Sequence, residues 1–199
     1  METSVDAVIL AGGLSVRFGE KNKLLEPFKG KALARHTLDL VCSLGRLFQR
    51  VIFVVSDPAV AALAEGMNLS VVFNPRPQWG LRESVRLGVE ASGADSYLFF
   101  PADQPFLKSI IIEEILTKRA PGTIVYPVYG PRPGNPALYS SSFREELCSL
   151  AEGEQPRDIR ARHPGACVEI PVTDPRMFLD VDTLEDLWSL SGDDSSLFR

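Results

Sequence analysis

Cysteine and histidine are scarce in this 199-residue chain, and their spacing excludes several kinds of site. The three cysteines, Cys42, Cys148 and Cys167, are far apart and form no C-x-x-C pair, so neither a disulfide framework nor a zinc knuckle is expected. The two histidines, His36 and His163, are isolated, and no Ser–His–Asp or Cys–His arrangement can be argued from them. The chemistry of the chain must therefore rest on other residue types.

The chain also lacks an excess of positive charge and a long apolar run. Its formal net charge is -5, which argues against nucleic acid as a partner. No apolar run reaches the roughly 18 residues that a membrane span requires, and the acidic, polar start does not resemble a signal peptide. With 45% hydrophobic and 24% charged residues, the composition is that of a globular protein, for which we expect the cytoplasm. We expect one domain over residues 1–190 and a flexible polar tail over residues 191–199.

Short apolar runs alternate with amphipathic segments along most of the chain, and the runs predict buried strands. The predicted strands are residues 5–11, 50–56, 69–73, 96–100, 123–129, 137–139 and 167–171, and the predicted helices are residues 31–43, 58–65, 81–91, 106–118, 141–150, 155–162 and 183–190. This alternation indicates an α/β fold whose mostly parallel sheet is covered by helices on both faces. Pro127 places its strand at an edge or an end of the sheet, because proline has no N–H to donate.

The most informative segment follows the first predicted strand and runs Leu10-Ala11-Gly12-Gly13. The two glycines leave no side chain to block a ligand, and backbone N–H groups in such a turn can point at anionic oxygens. In an open α/β sheet, ligands bind beyond the carboxyl ends of the strands, where this segment lies. We therefore expect these four residues to bind the phosphates of a nucleotide, with a loop that binds no ligand as the alternative.

Two basic residues, Arg17 and Lys23, follow the glycines and can neutralise a triphosphate. The spacing from Gly13 to Gly19 is too long for a Walker loop, and no G-x-G-x-x-G fingerprint is present. If a nucleoside triphosphate binds here, we expect Lys23 to stabilise charge at the α-phosphate and Arg17 to hold the β- and γ-phosphates.

Five segments, in this order along the chain, resemble the signatures of the sugar-nucleotide and cofactor nucleotidyltransferases. They are Leu10 to Gly13 with Arg17 and Lys23, Asn74 with residues 80–88, Pro101 to Phe106, Gly134 to Tyr139, and Leu179 to Leu187. Among these enzymes, the group that completes the molybdenum cofactor is most similar to this chain. Within that group, the cytidylyltransferases are the most similar. The resemblance implies a Rossmann-like three-layer sandwich of the glycosyltransferase-A type. It also implies magnesium-dependent transfer of CMP from CTP to molybdenum-loaded molybdopterin, with release of pyrophosphate.

Two aspartates are the candidate metal ligands. Asp103 follows a predicted strand and so lies at the carboxyl edge of the sheet, where a turn or capping role is the alternative. Mg²⁺ prefers one or two carboxylates together with phosphate oxygens and water, and the resemblance implies a metal-binding aspartate at this position. Asp182 is the second ligand that the resemblance implies. Its alternative role is a capping box with Glu185 at the start of the last helix, and Asp180 faces either the acceptor or solvent.

Three polar residues are candidates for contact with the base or the ribose. Ser56 and Asn74 end the second and third predicted strands, and Ser84 lies one turn into a predicted helix. Each has a structural alternative, as a turn residue for the first two and as a solvent-facing serine for the third.

Other functions remain open at this point. GTP can replace CTP, since the sequence around Gly13 favours GTP whereas the segment after Gly80 favours CTP. Methylerythritol phosphate or a sugar phosphate can be the acceptor. The chain can also be a chaperone that binds nucleotide or cofactor and delivers it to a recipient molybdoenzyme without catalysis.

Overall fold

The computed structural model describes residues 3–13, 22–181 and 183–191. Its strands are β1 Val5–Ala11, β2 Pro27–Phe28, β3 Lys31–Ala32, β4 Arg50–Val55, β5 Ser70–Phe73, β6 Ser96–Pro101, β7 Ile124–Tyr129, β8 Arg132–Pro133, β9 Ala137–Ser140 and β10 Cys167–Pro171. Its helices are α1 Leu33–Ser43, α2 Pro58–Ala62, α3 Leu81–Ala91, α4 Ser109–Thr117, α5 Arg144–Cys148, α6 Pro156–Arg162 and α7 Leu184–Ser191. Within these ranges, no helix has the length and apolar character needed to cross a membrane.

The main sheet has eight strands in the order β10-β7-β9-β6-β1-β4-β5, with β8 paired to β7. β1 runs parallel to both β4 and β6, β4 runs parallel to β5, and β7 runs parallel to β10. Only β8 and β9 run antiparallel to their neighbours in this sheet, as far as it is described. The predicted mostly parallel sheet is therefore confirmed, and the carboxyl ends of β1, β4 and β6 share one edge.

Apolar side chains cover both faces of the sheet because successive residues of a buried strand point in opposite directions. In β1, Ala7 and Ile9 pack into a core cluster with residues of α1, α2 and α4. Val8 points the other way, into a cluster with residues of α3, α5 and α6. A Cβ added at Gly88 would lie 2.4 Å from Val8 Cγ1, so this glycine lets α3 lie close against β1. The result is the three-layer sandwich that the sequence predicted.

The predicted position of Pro127 at an edge or an end of the sheet is wrong in one respect, since β7 lies between β9 and β10. Along the side of β7 that faces β8 and β9, the register pairs stop at Val125 and resume at Val128. The carbonyl of Pro127 accepts a 2.8 Å hydrogen bond from Gly134 N–H on that side. The backbone N–H that proline lacks would therefore point into the gap between β8 and β9, where strand pairing does not require a donor.

Element boundaries differ from the predicted ones chiefly at loops. Residues 31–32 pair as β3 with β2, and α1 begins at Leu33 rather than at residue 31. α4 begins at Ser109 rather than at residue 106, and α2 ends at Ala62 rather than at residue 65. Of the tail predicted over residues 191–199, Ser191 belongs to α7 and residues 192–199 lie outside the described residues.

Candidate active site

A cavity of about 810 Å³ opens at the carboxyl edge of the sheet, beyond the ends of β1 and β6. It is lined by Leu10, Ala11, Gly12, Gly13, Lys23, Leu24, Leu81, Ser84, Phe99, Pro101, Ala102, Asp103, Pro133, Gly134, Asn135, Ala137, Tyr139, Gln155, Pro156, Arg157, Arg160 and Asp180. We call this the first cavity. Its near wall comprises residues 10–13, Lys23, Asp103 and Asp180, and its far wall comprises Asn135, Tyr139, Gln155, Pro156, Arg157 and Arg160.

The glycine turn of the near wall packs against two polar side chains. A Cβ added at Gly12 would lie 2.2 Å from Ser84 Oγ and 3.1 Å from Asn74 Nδ2, whereas one added at Gly13 would meet no described atom within 4 Å. Only glycine fits at position 12 without displacing these side chains. At position 13 the space in front of the backbone is open.

Asn74 and Ser84 form a buried pair beneath this turn. Asn74 Nδ2 donates to Ser84 Oγ at 3.0 Å, and the two residues are 3% and 1% exposed. Asn74 Oδ1 accepts from Arg76 N–H at 2.8 Å, so both ends of the amide are engaged. Ser84 lines the first cavity, whereas Asn74 supports it from behind. Ser56 is half-buried at the end of β4 and is not part of the cavity lining.

Lys23 and Asp103 meet across the near wall. Lys23 Nζ donates to Asp103 Oδ2 at 2.6 Å, and the side chains are 15% and 20% exposed. Lys23 begins a short 3₁₀ turn that is capped by Asn22, whose side chain accepts from Leu24 N–H and donates to Asp57 at 2.9 Å. Asp103 lies just beyond β6, as predicted from its place after a buried strand. The two residues assigned to charge stabilisation and metal binding are thus in contact.

Sequence reasoning assigned no role to Gln104, which links the two carboxylates of the near wall. Gln104 is 3% exposed, and its Nε2 donates to Asp180 Oδ1 at 2.7 Å. Val181 N–H donates to Asp103 O at 3.2 Å, so two hydrogen bonds fasten the C-terminal segment to the turn after β6. Asp180 consequently faces the cavity, which is one of its two predicted environments. The sequence signal for Gln104 was its position directly after Asp103, the candidate metal ligand.

The capping box predicted for Asp182 and Glu185 is shifted by one residue. Thr183 N–H donates to Asp186 Oδ2 at 2.8 Å, and Asp186 N–H donates to Thr183 Oγ1 at 3.0 Å, which is a capping box at the start of α7. Asp182 itself lies outside the described residues, as does Arg17. The cap role is therefore filled without Asp182.

The far wall carries two arginines that sequence reasoning did not single out. Arg157 and Arg160 lie three residues apart in α6, and neither guanidinium forms an ion pair with a carboxylate of the described chain. The Arg160 guanidinium lies 4.5 Å from the ring centroid of Tyr126. Tyr139, at the base of this wall, donates to Pro156 O at 2.8 Å, and burial raises the pKa of its hydroxyl. The sequence signal was the i, i+3 spacing, which puts both arginines on one helix face.

The site can bind anions on both walls and a cation between the carboxylates. Among the described residues, no group of three or more His, Cys, Asp or Glu side chains is arranged to hold a metal alone. Asp103 and Asp180 nonetheless offer the one or two carboxylates that Mg²⁺ uses when phosphate oxygens complete its coordination. The residues present therefore fit a metal–nucleotide complex better than a free structural ion.

Comparisons with known proteins show three similar sequences that are covered over nearly their whole length. A molybdenum cofactor cytidylyltransferase of Escherichia coli K12 is 25% identical over 190 residues, which cover 92% of this chain and 94% of that protein. A nicotine blue oxidoreductase of Paenarthrobacter nicotinovorans is 25% identical, with 94% and 96% covered. A probable molybdenum cofactor guanylyltransferase of Methanosarcina acetivorans is 26% identical, with 95% and 91% covered.

Two solved structures share the fold. A nucleotidyl transferase from Methanothermobacter thermautotrophicus superposes with a TM-score of 0.83 at 20% identity, covering 94% of this chain and 96% of that one. A Mycobacterium tuberculosis protein in complex with manganese superposes with a TM-score of 0.70 at 24% identity, covering 95% and 98%. The profile of the MobA-like NTP transferase domain matches residues 7–167, which is most of the chain. The chain therefore belongs to the family of MobA-like NTP transferase domains and is a nucleotidyltransferase.

Proposed function

We propose that this enzyme transfers CMP from CTP to molybdenum-loaded molybdopterin and releases pyrophosphate. The observation that carries the proposal is the contact of Lys23 with Asp103 in a cavity that also contains a glycine turn and two arginines without a carboxylate partner among the described residues. Phosphate-binding groups on two opposite walls suit a reaction between two phosphorylated substrates. Proteins named as molybdenum cofactor nucleotidyltransferases among the relatives supply the acceptor class. The cytoplasm is the proposed compartment, and a recipient molybdoenzyme is the proposed destination of the product.

In the proposed reaction, an oxygen of the acceptor phosphate attacks the α-phosphorus of CTP. The bond from that phosphorus to the bridging oxygen of the β-phosphate breaks, and pyrophosphate leaves with the electron pair. The acceptor phosphate is already anionic at neutral pH, so no general base is required. Catalysis then rests on positioning and on stabilisation of negative charge.

The near wall would hold the nucleotide. Backbone N–H groups of Gly12 and Gly13 would face the phosphates, and Ser84 at the first turn of α3 would approach the base. The Lys23 ammonium, held by Asp103, would lie beside the α-phosphate. We keep Arg17 as the residue proposed for the β- and γ-phosphates.

Asp103 and Asp180 would hold a magnesium ion against the nucleotide. Such an ion, when bound, withdraws negative charge from the phosphates and fixes their orientation. Asp103 contacts Lys23 through Oδ2, which leaves its second carboxylate oxygen for the ion. Asp182 stays a proposed second ligand from the sequence resemblance, and the manganese complex among the structural neighbours supports divalent metal in this fold.

The far wall would bind the acceptor phosphate through Arg157 and Arg160. A guanidinium without a carboxylate partner retains its full charge for a ligand, and its donors match phosphate geometry. Both side chains line the first cavity across from Lys23.

The proposal of CTP rests on α3. The segment Gly80 to Gly88 resembles the cytidylyltransferases, and it places Leu81 and Ser84 in the cavity wall. Isothermal titration with Mg²⁺ and each of the four nucleoside triphosphates measures the choice directly. Tighter binding of GTP than of CTP would assign a guanylyltransferase reaction instead.

Pyrophosphate release from each nucleotide with molybdenum-loaded molybdopterin tests the reaction. Lys23→Ala should lower turnover at least about a hundredfold, the usual cost of one preorganised charge donor. Lys31→Ala is the matched control, because Lys31 pairs with Asp39 at 2.5 Å and is not part of the cavity lining. Equal turnover of the two variants would remove Lys23 from the mechanism. Delivery of cofactor without pyrophosphate from any nucleotide would favour the chaperone function.

A further inference from the structure

Gln104 carries a buried polar atom that the fold does not satisfy. The residue is 3% exposed, and its Oε1 has no hydrogen-bond partner among the described residues. Its Nε2 donates to Asp180 Oδ1 at 2.7 Å. The reverse orientation of the amide would set two acceptor oxygens at that distance, so the nitrogen must face the carboxylate. The acceptor end of the side chain therefore stays buried and unpaired.

This arrangement does not favour the stability of the fold. A buried acceptor without a donor destabilises a folded protein, because the atom loses its hydrogen bonds to water. Asp180 gains little stability from the contact, since it is exposed and water can solvate its carboxylate when Gln104 is absent. A leucine at position 104 would have no polar atom to bury. For stability alone, glutamine is therefore a poorer residue than leucine at this position.

The contribution of Gln104 is a carboxylate held in one orientation at the first cavity. An exposed aspartate side chain ordinarily changes rotamer within nanoseconds, and each change turns the carboxylate away. Asp180 lines the first cavity, and its hydrogen bond ties it to a side chain that is itself packed in the interior. The hydrogen bond from Val181 N–H to Asp103 O holds the backbone of the same segment. Both carboxylates of the near wall are thereby kept in a fixed relation.

We propose that Gln104 is a positioning residue that raises the affinity of the near wall for a divalent ion while lowering the stability of the fold. It acts through Asp180, whose carboxylate it orients toward the space where the ion binds. Hydrogen bonds of this kind orient metal-binding carboxylates, and their loss lowers metal affinity or activity about ten- to a hundredfold. This inference rests on the proposed function and deepens it, because it names the residue that sets the affinity of the proposed metal site.

Titration with Mn²⁺ tests the inference without turnover, because this ion takes the same oxygen ligands as Mg²⁺ and the free ion is measured by electron paramagnetic resonance. The titration is made with CTP and, separately, with GTP. Gln104→Leu should weaken the binding of manganese by about tenfold or more. Its melting temperature in metal-free buffer should equal or exceed that of the parent. Gln49→Leu, the same substitution at an exposed position outside the lining of the first cavity, is the matched control and should bind manganese as the parent does.

A double-mutant cycle with Asp180→Ala separates positioning from a structural role. In that background Gln104→Leu should lower manganese affinity no further, and in the single variant raising manganese should restore most of the turnover. The inference is overturned if the effect persists without Asp180, if Gln104→Leu binds manganese as the parent does with both nucleotides, or if its melting temperature falls well below the parent's. Pyrophosphate release by the parent reports on the proposed function separately, because manganese binding is measured without an acceptor.

Discussion

Gly12→Ala is the substitution that most directly tests the packing of the near wall of the first cavity. The added methyl group would lie 2.2 Å from Ser84 Oγ and 3.1 Å from Asn74 Nδ2. The first distance is far below van der Waals contact, so the hydroxyl, the turn or both must move. Two outcomes are possible, and each has a cost that can be worked from the contacts.

If Ser84 rotates away, the 3.0 Å hydrogen bond from Asn74 is lost and a buried amide N–H is left without a partner. That loss costs roughly 1–3 kcal/mol. If the turn shifts instead, the cost of overpacking is similar, typically about 1–3 kcal/mol. For a chain of this length, 1 kcal/mol corresponds to about 2–4 °C in melting temperature, so we expect a decrease of roughly 2–12 °C. Affinity for the nucleotide should fall as well, because the turn lines the cavity.

Gly13→Ala is the matched control, since its Cβ would meet no described atom within 4 Å. Thermal unfolding and titration with magnesium and CTP measure both variants. A double-mutant cycle adds Ser84→Ala, which removes the clashing oxygen and leaves Ser84 Cβ at 3.4 Å. Gly12→Ala should then cost much less than it does in the parent background, with only the 3.1 Å approach to Asn74 Nδ2 remaining. Equal melting temperatures for the two glycine variants would refute the packing argument.

Four further substitutions, two at a buried ion pair and two at the proposed metal site, test the contributions of these charges. Glu83→Ala should destabilise the protein by roughly 1.5–3 kcal/mol, because it removes the hydrogen-bonded partner of Arg86 that is only 2% exposed, although Arg86 keeps Glu90. Glu90→Ala removes an exposed partner of the same arginine and should cost under about 1 kcal/mol. The hydrogen bond from Arg86 lowers the pKa of Glu83 below its ordinary value of 4.5. The stabilisation that this ion pair gives the fold is therefore complete above pH 4.5 and is lost as the pH falls through the lowered pKa. In urea unfolding, the difference in stability between the parent and Glu83→Ala should accordingly shrink in more acidic buffer. Asp103→Asn should lower turnover at least about a hundredfold and blunt its response to added magnesium, because a neutral amide is a poorer ligand for a hard ion. Asp182→Asn should lower turnover at an unchanged melting temperature. If Asp103→Asn instead shows the same magnesium dependence as the parent, the placement of the active site at the end of β6 is wrong.

The buried strands and helices were predictable because each is a continuous apolar or amphipathic segment. α3 matches its predicted range of residues 81–91, and β10 matches residues 167–171. Because helices cover both faces of the sheet, these elements bury apolar side chains, and the apolar pattern of the sequence is enough to locate them. The position of Lys23 near Asp103 also followed from the pattern, because both come after strands that end at one edge of a parallel sheet.

The capping box shows where local sequence fails. Asp182 and Thr183 are both good N-cap residues, and each has an acidic residue three positions later, so the pattern fits either register. The structure uses Thr183 with Asp186. Hydrogen bonds that hold the preceding segment to the turn after β6 favour that register, and such contacts are invisible in the sequence.

The far wall was missed for a topological reason. Arg157 and Arg160 appear in the sequence as surface charges of a short helix. They line the same cavity as Lys23 because α6 packs against Tyr139 of β9 and Tyr126 of β7, strands that lie on one side of β6 in the sheet, whereas β1 lies on the other side. Strand order of this kind depends on the packing of the whole sheet, and no local spacing encodes it.

The charges around the first cavity divide binding between its two walls. Among the described residues, the near wall carries one cation, Lys23, and two carboxylates, whereas the far wall carries two unpaired guanidiniums. A triphosphate bears more negative charge than the Lys23 ammonium alone neutralises, and in the proposed reaction a divalent ion held by those carboxylates, together with Arg17, would supply the remaining positive charge. Gln104 serves that arrangement, since its 2.7 Å hydrogen bond holds the Asp180 carboxylate at the cavity. In the proposed reaction the acceptor phosphate would meet guanidiniums instead, so we expect the requirement for metal to arise from binding of the nucleotide and not from binding of the acceptor.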